Sequence, residues 1–539
     1  MYQFSATTVL ALMIGFYLLT FLMTLLIREK KENVDGYMVS NGSVGFGVSA
    51  ASMTATWIWA ASFYAAASSG YTYGLSGPLH YGFWGALMIL FIYPFGRRFR
   101  EVAPKAHTLA EVVHARHGSS SQMILVISNI MGSLISLMVN FTAAGALVSI
   151  LSPLSFIQGV VIAGVGVLGY TLWSGFRAST LTDFAQVVAM ILAAVVIIPM
   201  IWFNVGGSGA LEEGLSRLTS EQASFFSKTA FLEQGAPFFV AVLAYAIGNQ
   251  TIAQRLFAVR EDLIKPTFIT ATIGYGATVI GLGMLGLIAL LIGLEPAEGD
   301  LNNIIPQMTS NYLTPFFIGV FFIMVIGSLS STADSDLAAL SALVMTDIYG
   351  KNLARGKVNP KTMLWIGRTT MITATMLAVI FASLKLDILE MLIFVGALWG
   401  AIVFPVIASF YWNRVTNRAF TMAVVSAFVM FILARFELVP MEGVIGSFFE
   451  LFAIIGGGVV IGLMAFGFFG FRAGIFLGGL ATLVLAFYGF GFLRDYTVLL
   501  SSLTAYGVSA AVCVGLSLLA DERFDFDLIG ERVTDFQKS

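Results

Sequence analysis

The chain repeats one kind of segment, an apolar run long enough to cross a lipid bilayer as an α-helix, and we count about 15 runs of roughly 20 residues. Apolar residues make up 58% of the 539 residues and charged residues only 11%, whereas soluble proteins average about 25% charged residues. Backbone polar groups that cross hydrocarbon must be bonded internally, so such runs fold as helices. The sequence therefore predicts an all-α polytopic membrane protein.

Basic residues are concentrated in alternate connections between the apolar runs. The exceptions among the 28 Lys and Arg residues are Arg217, Lys228, Lys385, Arg435 and Arg494. Cytoplasmic loops carry the excess of Lys and Arg, so this pattern predicts a cell-membrane protein with its N-terminus outside and its C-terminus in the cytoplasm.

Two further segments can be interpreted from their flanking residues. The first apolar run has no basic residue before it and is followed by Arg28, Lys30 and Lys31, so we interpret it as a retained helix and not as a signal peptide. In a basic inner connection, Thr108 followed by Glu111 predicts a capping box that opens a short helix.

Several function classes are disfavoured by what the sequence contains. Cys513 is the single cysteine and the four histidines fit no zinc spacing, which argues against a disulfide framework or a zinc cluster. We find no glycine-rich nucleotide motif, which argues against an ATP-driven pump, and no nucleophile–base pair that would indicate an enzyme. We expect no cofactor, no nucleic-acid partner and no obligate protein partner.

One apolar run, residues 321–349, carries a polar cluster in its middle. At helical spacing Ser328, Ser331, Thr332 and Ser335 share one face, and Asp334 and Asp336 lie in the same stretch. Hydroxyl and carboxylate oxygens suit an alkali cation, and ionisable residues inside a membrane mark functional sites. The alternative is that these small residues only allow close helix packing.

The second span and the start of the third carry a separate polar and aromatic set. Residues 49–56 are small and rich in hydroxyls, so the helix can unwind there and expose carbonyls to a cation. Trp57 and Trp59 follow, with lipid or helix packing as the alternative reading. His80 is a candidate substrate residue or simply an interfacial histidine.

Three later spans carry polar side chains at membrane depth. Asp183 is a second candidate cation ligand or proton carrier, with a helix cap or an ion pair to Arg177 as the alternative. Asn249 and Gln250 can both donate and accept hydrogen bonds, which suits a small neutral polar solute. No Lys or Arg lies mid-membrane in our span assignment, which disfavours an anionic substrate.

Four motifs together resemble the sodium:solute symporter family: SLSSTADSDLAALSALVMTDIYG, ASMTATWIWAAS, TLTDFAQ and NQTIAQR. The segments TATWIWAAS, YGLSGP and APKAHTLAEVVHARHG resemble its urea active transporter branch. The resemblance implies a LeuT-type inverted-repeat core of five plus five helices, with one extra N-terminal helix and about four extra C-terminal helices. The implied units are an N-terminal helix, two five-helix repeats, four additional helices and a tail, at residues 1–30, 41–205, 236–412, 413–520 and 521–539.

The resemblance also implies two ion sites. In the first, a Na⁺ is held by carbonyls of the second span and by a carbonyl and two hydroxyls of the polar run, which here fall on Ala51, Thr54, Ser328, Ser331 and Thr332. A second site, present in some members, falls on Asp183, Ser331, Asp334 and Ser335. Asp334 replaces a serine of the family pattern, which leaves open a proton-titrating acid in place of or beside Na⁺.

These observations predict a cation-coupled secondary symporter that takes up a small polar solute by alternating access, with Na⁺ favoured over H⁺ and urea favoured as the solute. The candidate substrate residues are Trp57, Trp59, His80, Asn249, Gln250 and Trp399. Sugar-transporting relatives carry polar side chains on the eleventh span where this chain has Ala397 and Trp399, so the resemblance disfavours a sugar. The alternatives are another small solute, such as proline or a monocarboxylate, and a transporter-like membrane sensor.

Overall fold

The computed structural model describes residues 2–26, 33–354, 358–385 and 388–533. Within these ranges the chain is helical and forms no β-sheet, with a single isolated bridge between Val44 and Val259. Residues 27–32, which include the basic residues after the first apolar run, and residues 534–539 of the predicted tail lie outside the described ranges.

The first half of the chain forms these helices: α1 (Ala6–Leu26), α2 (Val34–Val39), α3 (Phe46–Trp57), α4 (Ala60–Tyr73), α5 (Ser76–Leu90), α6 (Ile92–Val102), α7 (Leu109–His117), α8 (Ser119–Leu151), α9 (Phe156–Asn204), α10 (Gly207–Leu215), α11 (Lys228–Ala230, continuing as a π-helix over Phe231–Gly235), α12 (Ala236–Gly248) and α13 (Gln250–Ala258).

The second half forms α14 (Ile264–Leu291), α15 (Ile304–Tyr312), α16 (Pro315–Leu343, continuing as a π-helix over Val344–Leu353), α17 (Pro360–Ala382), α18 (Ile388–Tyr411), α19 (Asn417–Arg435), α20 (Gly443–Phe469), α21 (Phe471–Tyr488), α22 (Thr497–Leu519) and α23 (Leu528–Arg532). Short 3₁₀ turns lie at Ser40–Gly42, Glu261–Leu263, Ala297–Gly299, Leu301–Asn303 and Leu493–Asp495.

Fourteen helical segments in the described ranges are long and apolar enough to cross a membrane. The second predicted span is not among them, because it is divided into α3 and α4, each too short to cross alone. Counting that pair as one further crossing gives 15, the number that the sequence predicts. The continuous helix α9 contains two crossings, which meet at Gly175. Gly175 has φ 53°, a value that glycine adopts readily and most residues do not.

The second span is interrupted at Ile58 and Trp59, which have non-helical backbone angles. The predicted unwinding is confirmed, but it lies just after the hydroxyl-rich residues 49–56 and not within them. Neither glycine nor proline marks the break. Side chains from other helices bond to the released backbone groups instead: the Asn140 side chain accepts from the Ala60 N–H at 3.2 Å, and the Ser328 hydroxyl donates to the Ile58 carbonyl.

The seventh span is interrupted as well, at Asn249 between α12 and α13. The Asn249 side chain accepts from the Thr251 N–H at 2.8 Å and so caps the second half-helix. The two interruptions lie in the first helix of each predicted five-helix repeat. The division into repeats at 41–205 and 236–412, with the units that flank them, stays a prediction.

A buried polar cluster ties together α2, the start of α7 and the π-helical end of α16. The predicted capped helix is confirmed, since Thr108 accepts from the Glu111 N–H at 3.0 Å and α7 begins at the next residue. The Glu111 side chain reaches back to the His107 N–H at 3.1 Å. His107 also contacts Asp35 at 2.8 Å, and Lys351 contacts Glu111 at 3.4 Å. Opposite charges therefore join three separate elements.

Burial alone would lower the pKa of His107, but hydrogen bonds to Asp35 and Glu111 and their negative charges outweigh it and raise the pKa to about 9. The protonated ring is thus favoured in the folded protein. Its stabilising contribution is complete below about pH 6.5, the unfolded value, and is lost as pH rises through about 9.

We expect the purified protein to lose stability between about pH 6.5 and 9. The contribution of His107 to the free energy of unfolding that is lost over this range is about 3 kcal/mol, since one pKa unit corresponds to about 1.4 kcal/mol. Thermal unfolding in detergent at a series of pH values measures this. His107→Gln should flatten the profile, whereas His114→Gln on the same helix should leave it unchanged. An unaltered slope in His107→Gln would contradict the assignment.

Candidate cation and solute site

The polar face of α16 packs against the interrupted second span. The Ser331 hydroxyl donates to the Ala55 carbonyl at 2.7 Å, and the Thr332 hydroxyl donates to the Thr56 carbonyl at 2.7 Å. Both side chains are buried, with Ser331 fully enclosed. The hydroxyls that the sequence singles out therefore face protein oxygens and not lipid.

The α16 hydroxyls bond to carbonyls about one helical turn beyond the predicted Ala51 and Thr54, whose role as ion ligands stays a prediction. The hydroxyls meet carbonyls of Ala55, Thr56 and Ile58, whereas the Thr54 carbonyl accepts the Ile58 N–H at 2.9 Å within α3. The reason is the position of the break: only carbonyls near the end of α3 lack a complete set of helical bonds.

These contacts gather carbonyl and hydroxyl oxygens around one point. The Ser328 carbonyl, a predicted ligand, accepts from the Ser331 hydroxyl at 3.2 Å and so belongs to the same group. Oxygens that are 2.7 Å apart share a hydrogen. An alkali ion could replace these hydrogen bonds if the hydroxyl groups rotate their protons away and the oxygens separate slightly. The chemistry of the donor set fits such an ion.

The acids of the predicted second site form one network with the hydroxyls around them. The Ser179 hydroxyl donates to Asp334 at 2.6 Å, lies 3.4 Å from Asp183 and contacts the Ser335 hydroxyl at 3.0 Å. Tyr170 donates to the other Asp334 oxygen at 2.7 Å. The structure therefore brings Asp183, Asp334 and Ser335 together as the sequence predicts.

Arg255 completes this network, although its position in the sequence, near the end of a span, does not predict it there. The Arg255 guanidinium contacts Asp183 at 2.9 Å and the Ser335 hydroxyl at 2.7 Å, and its Nε donates to Ser52 at 3.0 Å. The guanidinium thus occupies the place between Asp183 and Ser335 where a second cation was expected. Asp183 pairs with Arg255 and not with Arg177, its neighbour in sequence.

A small cavity of about 20 Å³ lies beside the ion-site hydroxyls, where both interrupted helices meet α8, α16 and α18. This volume is enough for about one water molecule. Its polar and aromatic lining residues are Thr56, Trp57, Trp59, Ser136, Tyr245, Asn249, Thr251, Thr332, Asp336 and Trp399. Four predicted substrate residues, at positions 57, 59, 249 and 399, are therefore brought together.

Aromatic rings form much of the cavity wall. Tyr245 contacts Trp57 and Trp399 edge to face, with ring centroids 6.0 and 5.1 Å away. The indole N–H groups of both tryptophans bond to backbone carbonyls, of Gly85 at 3.0 Å and Ser128 at 3.2 Å. These bonds fix the rings, so the tryptophans present apolar surfaces to a solute.

Two of the predicted substrate residues lie elsewhere. His80 packs on Phe231 and accepts from the Trp84 indole at 3.2 Å, away from the cavity. Gln250 binds backbone groups of His107 and Leu109 at 3.3 Å and ties α13 to α7. The break at position 249 turns the adjacent carboxamides to different sides, and this orientation has no signal in the sequence.

Three members of these sites, Tyr245, Asp336 and Arg255, are not evident from the sequence. Tyr245 sits in an otherwise apolar run, so nothing in the sequence distinguishes it from a packing residue. Asp336 is visible in the polar cluster of α16 but was given no role. Arg255 is the last residue of NQTIAQR and lies near the end of its span, so a side chain that reaches the membrane surface is expected. In the structure the residue is buried, with 4% of its surface exposed.

The model of the sodium:solute symporter family matches residues 37–425, which include both interrupted helices and the whole of α16. The chain belongs to this family. The match runs from the second span to α19 and leaves the N-terminal helix and the last three spans outside it.

Members of the family that are similar to this chain differ in the solute for which they are named. A probable urea active transporter from Schizosaccharomyces pombe is 23% identical over 77% of this chain and 67% of its own length. The high-affinity proline transporter of Bacillus subtilis is 24% identical over 72% and 84%.

The fold is shared with symporters of known structure. A Na⁺-coupled sialic acid symporter in a substrate-bound, outward-open state superposes with a TM-score of 0.66 and 17% identity, covering 89% of this chain and 98% of that one. The sodium:solute symporter identified here therefore has the LeuT-type fold that its motifs imply.

The pairing of Arg255 with Asp183 can be tested by a double-mutant cycle. Removing one partner of a buried ion pair typically costs about 3–5 kcal/mol, because the other charge is left uncompensated. We expect Arg255→Gln and Asp183→Asn each to lower the unfolding temperature strongly, and the double variant to lower it by less than the sum. Thermal unfolding in detergent measures this.

Arg177→Gln combined with Asp183→Asn provides the matched control and should show additive effects. Additivity in the Arg255 cycle, or coupling only in the Arg177 cycle, would show that the charge pair is not the one seen here.

Proposed function

We propose that this transporter couples Na⁺ entry to the uptake of a small polar solute, with urea as the favoured solute. The observation that carries the proposal is the position of Thr332. Its hydroxyl bonds to a carbonyl at the helix break, and the same residue lines the central cavity. The proposed ion and solute sites therefore share a side chain.

Ion binding at this place would act on the relative energies of conformations. An ion held by Ala55, Ile58, Ser331 and Thr332 joins the interrupted span to α16, so it favours states in which these helices are in contact. A solute in the adjacent cavity contacts the same two elements. Each ligand then strengthens the binding of the other, which is the coupling that symport requires.

The membrane potential supplies enough free energy for this coupling. One charge moved through 100 mV contributes about 2.3 kcal/mol before any concentration gradient is counted. That corresponds to roughly fifty-fold accumulation of a neutral solute, since about 1.4 kcal/mol is a factor of ten. The proposal places the protein in the cell membrane, with the N-terminus outside.

Urea is favoured over other solutes by the cavity and by the relatives. The flat rings of Trp57, Tyr245 and Trp399 form the walls and suit a small planar molecule, for which the one-water cavity must widen as the helices move. Asn249 provides an amide within it. A urea transporter is among the similar proteins, but so is a proline transporter, and proline is therefore the main alternative.

We further propose that one Na⁺ moves in each cycle. Arg255 already supplies a positive charge between Asp183 and Ser335, the place of the expected second ion. A mobile cation there would face electrostatic repulsion from the guanidinium. The network holds two carboxylates and one guanidinium, so a proton shared by the acids could balance its remaining charge.

Uptake by purified protein in liposomes tests the solute and the ion together. With Na⁺ outside and a negative interior potential, we expect saturable uptake of labelled urea that stops when K⁺ replaces Na⁺. Unlabelled proline should not compete. Competition by proline would make proline the solute, whereas uptake driven by a pH gradient without Na⁺ would make the coupling ion a proton.

Ser331→Ala together with Thr332→Ala should raise the Na⁺ concentration for half-maximal uptake by more than tenfold, because two of the oxygens proposed to bind the ion are removed. Ser330→Ala is the matched control. Its hydroxyl faces Tyr17 at 3.3 Å on another side of the same helix, and this variant should keep the native Na⁺ dependence. Equal effects in both variants would argue against the proposed ion site.

The one-ion proposal predicts a transport ratio. Parallel uptake of ²²Na⁺ and labelled solute should give one ion for each solute molecule, and the Na⁺ dependence should show a Hill coefficient near one. A ratio of two would mean that Arg255 moves aside and lets a second ion bind.

A further inference from the structure

Asp336 is a buried carboxylate on the wall of the central cavity. Its side chain lies one turn beyond Thr332 on α16 and is 2% exposed. Among the described residues, no group hydrogen-bonds to its Oδ2. The hydroxyls of Ser133 and Ser136 on α8 face the carboxyl group, and Ser136 also lines the cavity.

One oxygen of this carboxylate, Oδ2, has no donor among the described residues. The described residues that line the cavity include no Lys, Arg or His, and Asp336 is the one among them with a formal charge. The Arg255 guanidinium is committed to Asp183 and Ser335. A buried carboxylate without sufficient donors is costly, so a ligand in the cavity that offers hydrogen-bond donors would gain free energy from it.

The other acids of α16 differ in this respect. Asp334 accepts from Tyr170 and Ser179, and Asp347 accepts from Thr108 and Gln122 at 2.7 Å each. Their oxygens are bonded to the protein itself. Asp336 alone of the three lies at the cavity with an oxygen that has no partner in the described part of the chain.

We propose that Asp336 is a specificity-determining residue that accepts N–H groups of the solute, so that the transporter selects small neutral or cationic N–H donors and rejects carboxylates. This inference rests on the proposed function, since it assigns the solute chemistry of the same cavity. The cavity offers an anion no positively charged side chain among the described lining residues, so a carboxylate is disfavoured, and the surrounding aromatic rings exclude bulky solutes.

The placement also links recognition to the ion. Asp336 follows Thr332 by four residues, so the two side chains lie above one another on the same face of α16. A solute that bonds to Asp336 and touches Trp57 or Asn249 would hold α16 against both interrupted helices. This is the same contact that the proposed Na⁺ stabilises.

Thermal-shift measurements with defined solutes test the inference. In Na⁺ buffer we expect urea, acetamide and guanidinium to stabilise the wild-type protein, and tetramethylurea and acetate to have no effect. Tetramethylurea keeps the carbonyl of urea but has no N–H group. Stabilisation by tetramethylurea or acetate equal to that by urea, or no stabilisation by any N–H donor, would overturn the proposal.

Asp336→Asn should weaken urea binding by roughly 10- to 100-fold, because hydrogen bonds to charged groups contribute about 1.5–3 kcal/mol. It should leave the shift caused by Na⁺ alone intact. Asp347→Asn, a buried acid on the same helix outside the cavity, should keep the native order of solutes. An unchanged urea affinity in Asp336→Asn would refute the proposal, as would a variant that loses only the pH dependence of uptake and so identifies Asp336 as a proton carrier.

The two hypotheses fail in different ways. Without any Na⁺-dependent shift or uptake, the proposed coupling fails while the order of solutes still tests Asp336. If Na⁺ coupling holds but the order of solutes does not depend on N–H groups, the role of Asp336 fails alone. Should Asp336→Asn not fold, the comparison of urea with tetramethylurea on the wild-type protein still decides the question.

Discussion

A helix that is interrupted inside a bilayer leaves backbone groups that lipid cannot satisfy, and the rest of this structure depends on how these groups are bonded. At the break in the second span, hydroxyls of α16 donate to the carbonyls of Ala55, Thr56 and Ile58. Asn140 accepts the first N–H of the half-helix that follows. The break is therefore stable only while α8 and α16 stay in place, which makes it sensitive to any motion of those helices.

The buried acids beside the break also need partners inside the protein. Burying Asp183 and Asp334 requires hydrogen-bond donors, and Tyr170, Ser179 and the Arg255 guanidinium supply them to three of the four carboxylate oxygens. Oδ1 of Asp183 has no partner among the described residues. A fixed guanidinium cannot leave the protein, whereas an alkali ion at the neighbouring hydroxyls could. The arrangement therefore separates a permanent positive charge from the place proposed for a transient one.

The sequence predicts the helices well because their signal is local. Apolar length gives the spans, and hydroxyl spacing places Ser331 and Thr332 on the inward face of α16. The carbonyls that bond to the α16 hydroxyls lie one turn beyond the predicted Ala51 and Thr54, because the break has no glycine or proline that would reveal its position in the sequence. Its position is decided by Asn140 and Ser328, which are distant in sequence.

Side-chain orientation around a break is also beyond the reach of a sequence pattern. Asn249 and Gln250 are chemically alike and adjacent, yet one lines the cavity and the other holds α7. Arg255 illustrates the same limit for charge. A basic residue near the end of a span is expected to reach the membrane surface, and only the packed structure shows that its partner is an acid 72 residues earlier.

Thr56 shows why the ion site and the acid network respond together. Its carbonyl accepts from Thr332 at the proposed ion site, while its hydroxyl lies 3.0 Å from Ser335 and 3.5 Å from Asp183 in the acid network. Ser335 in turn donates to the Ser331 carbonyl at 2.6 Å. Thr56 lies in the last turn of α3, next to the break. A displacement of Thr56 by an ion would change the distances to both acid-network residues, so the charge balance of that network depends on whether the neighbouring site is filled.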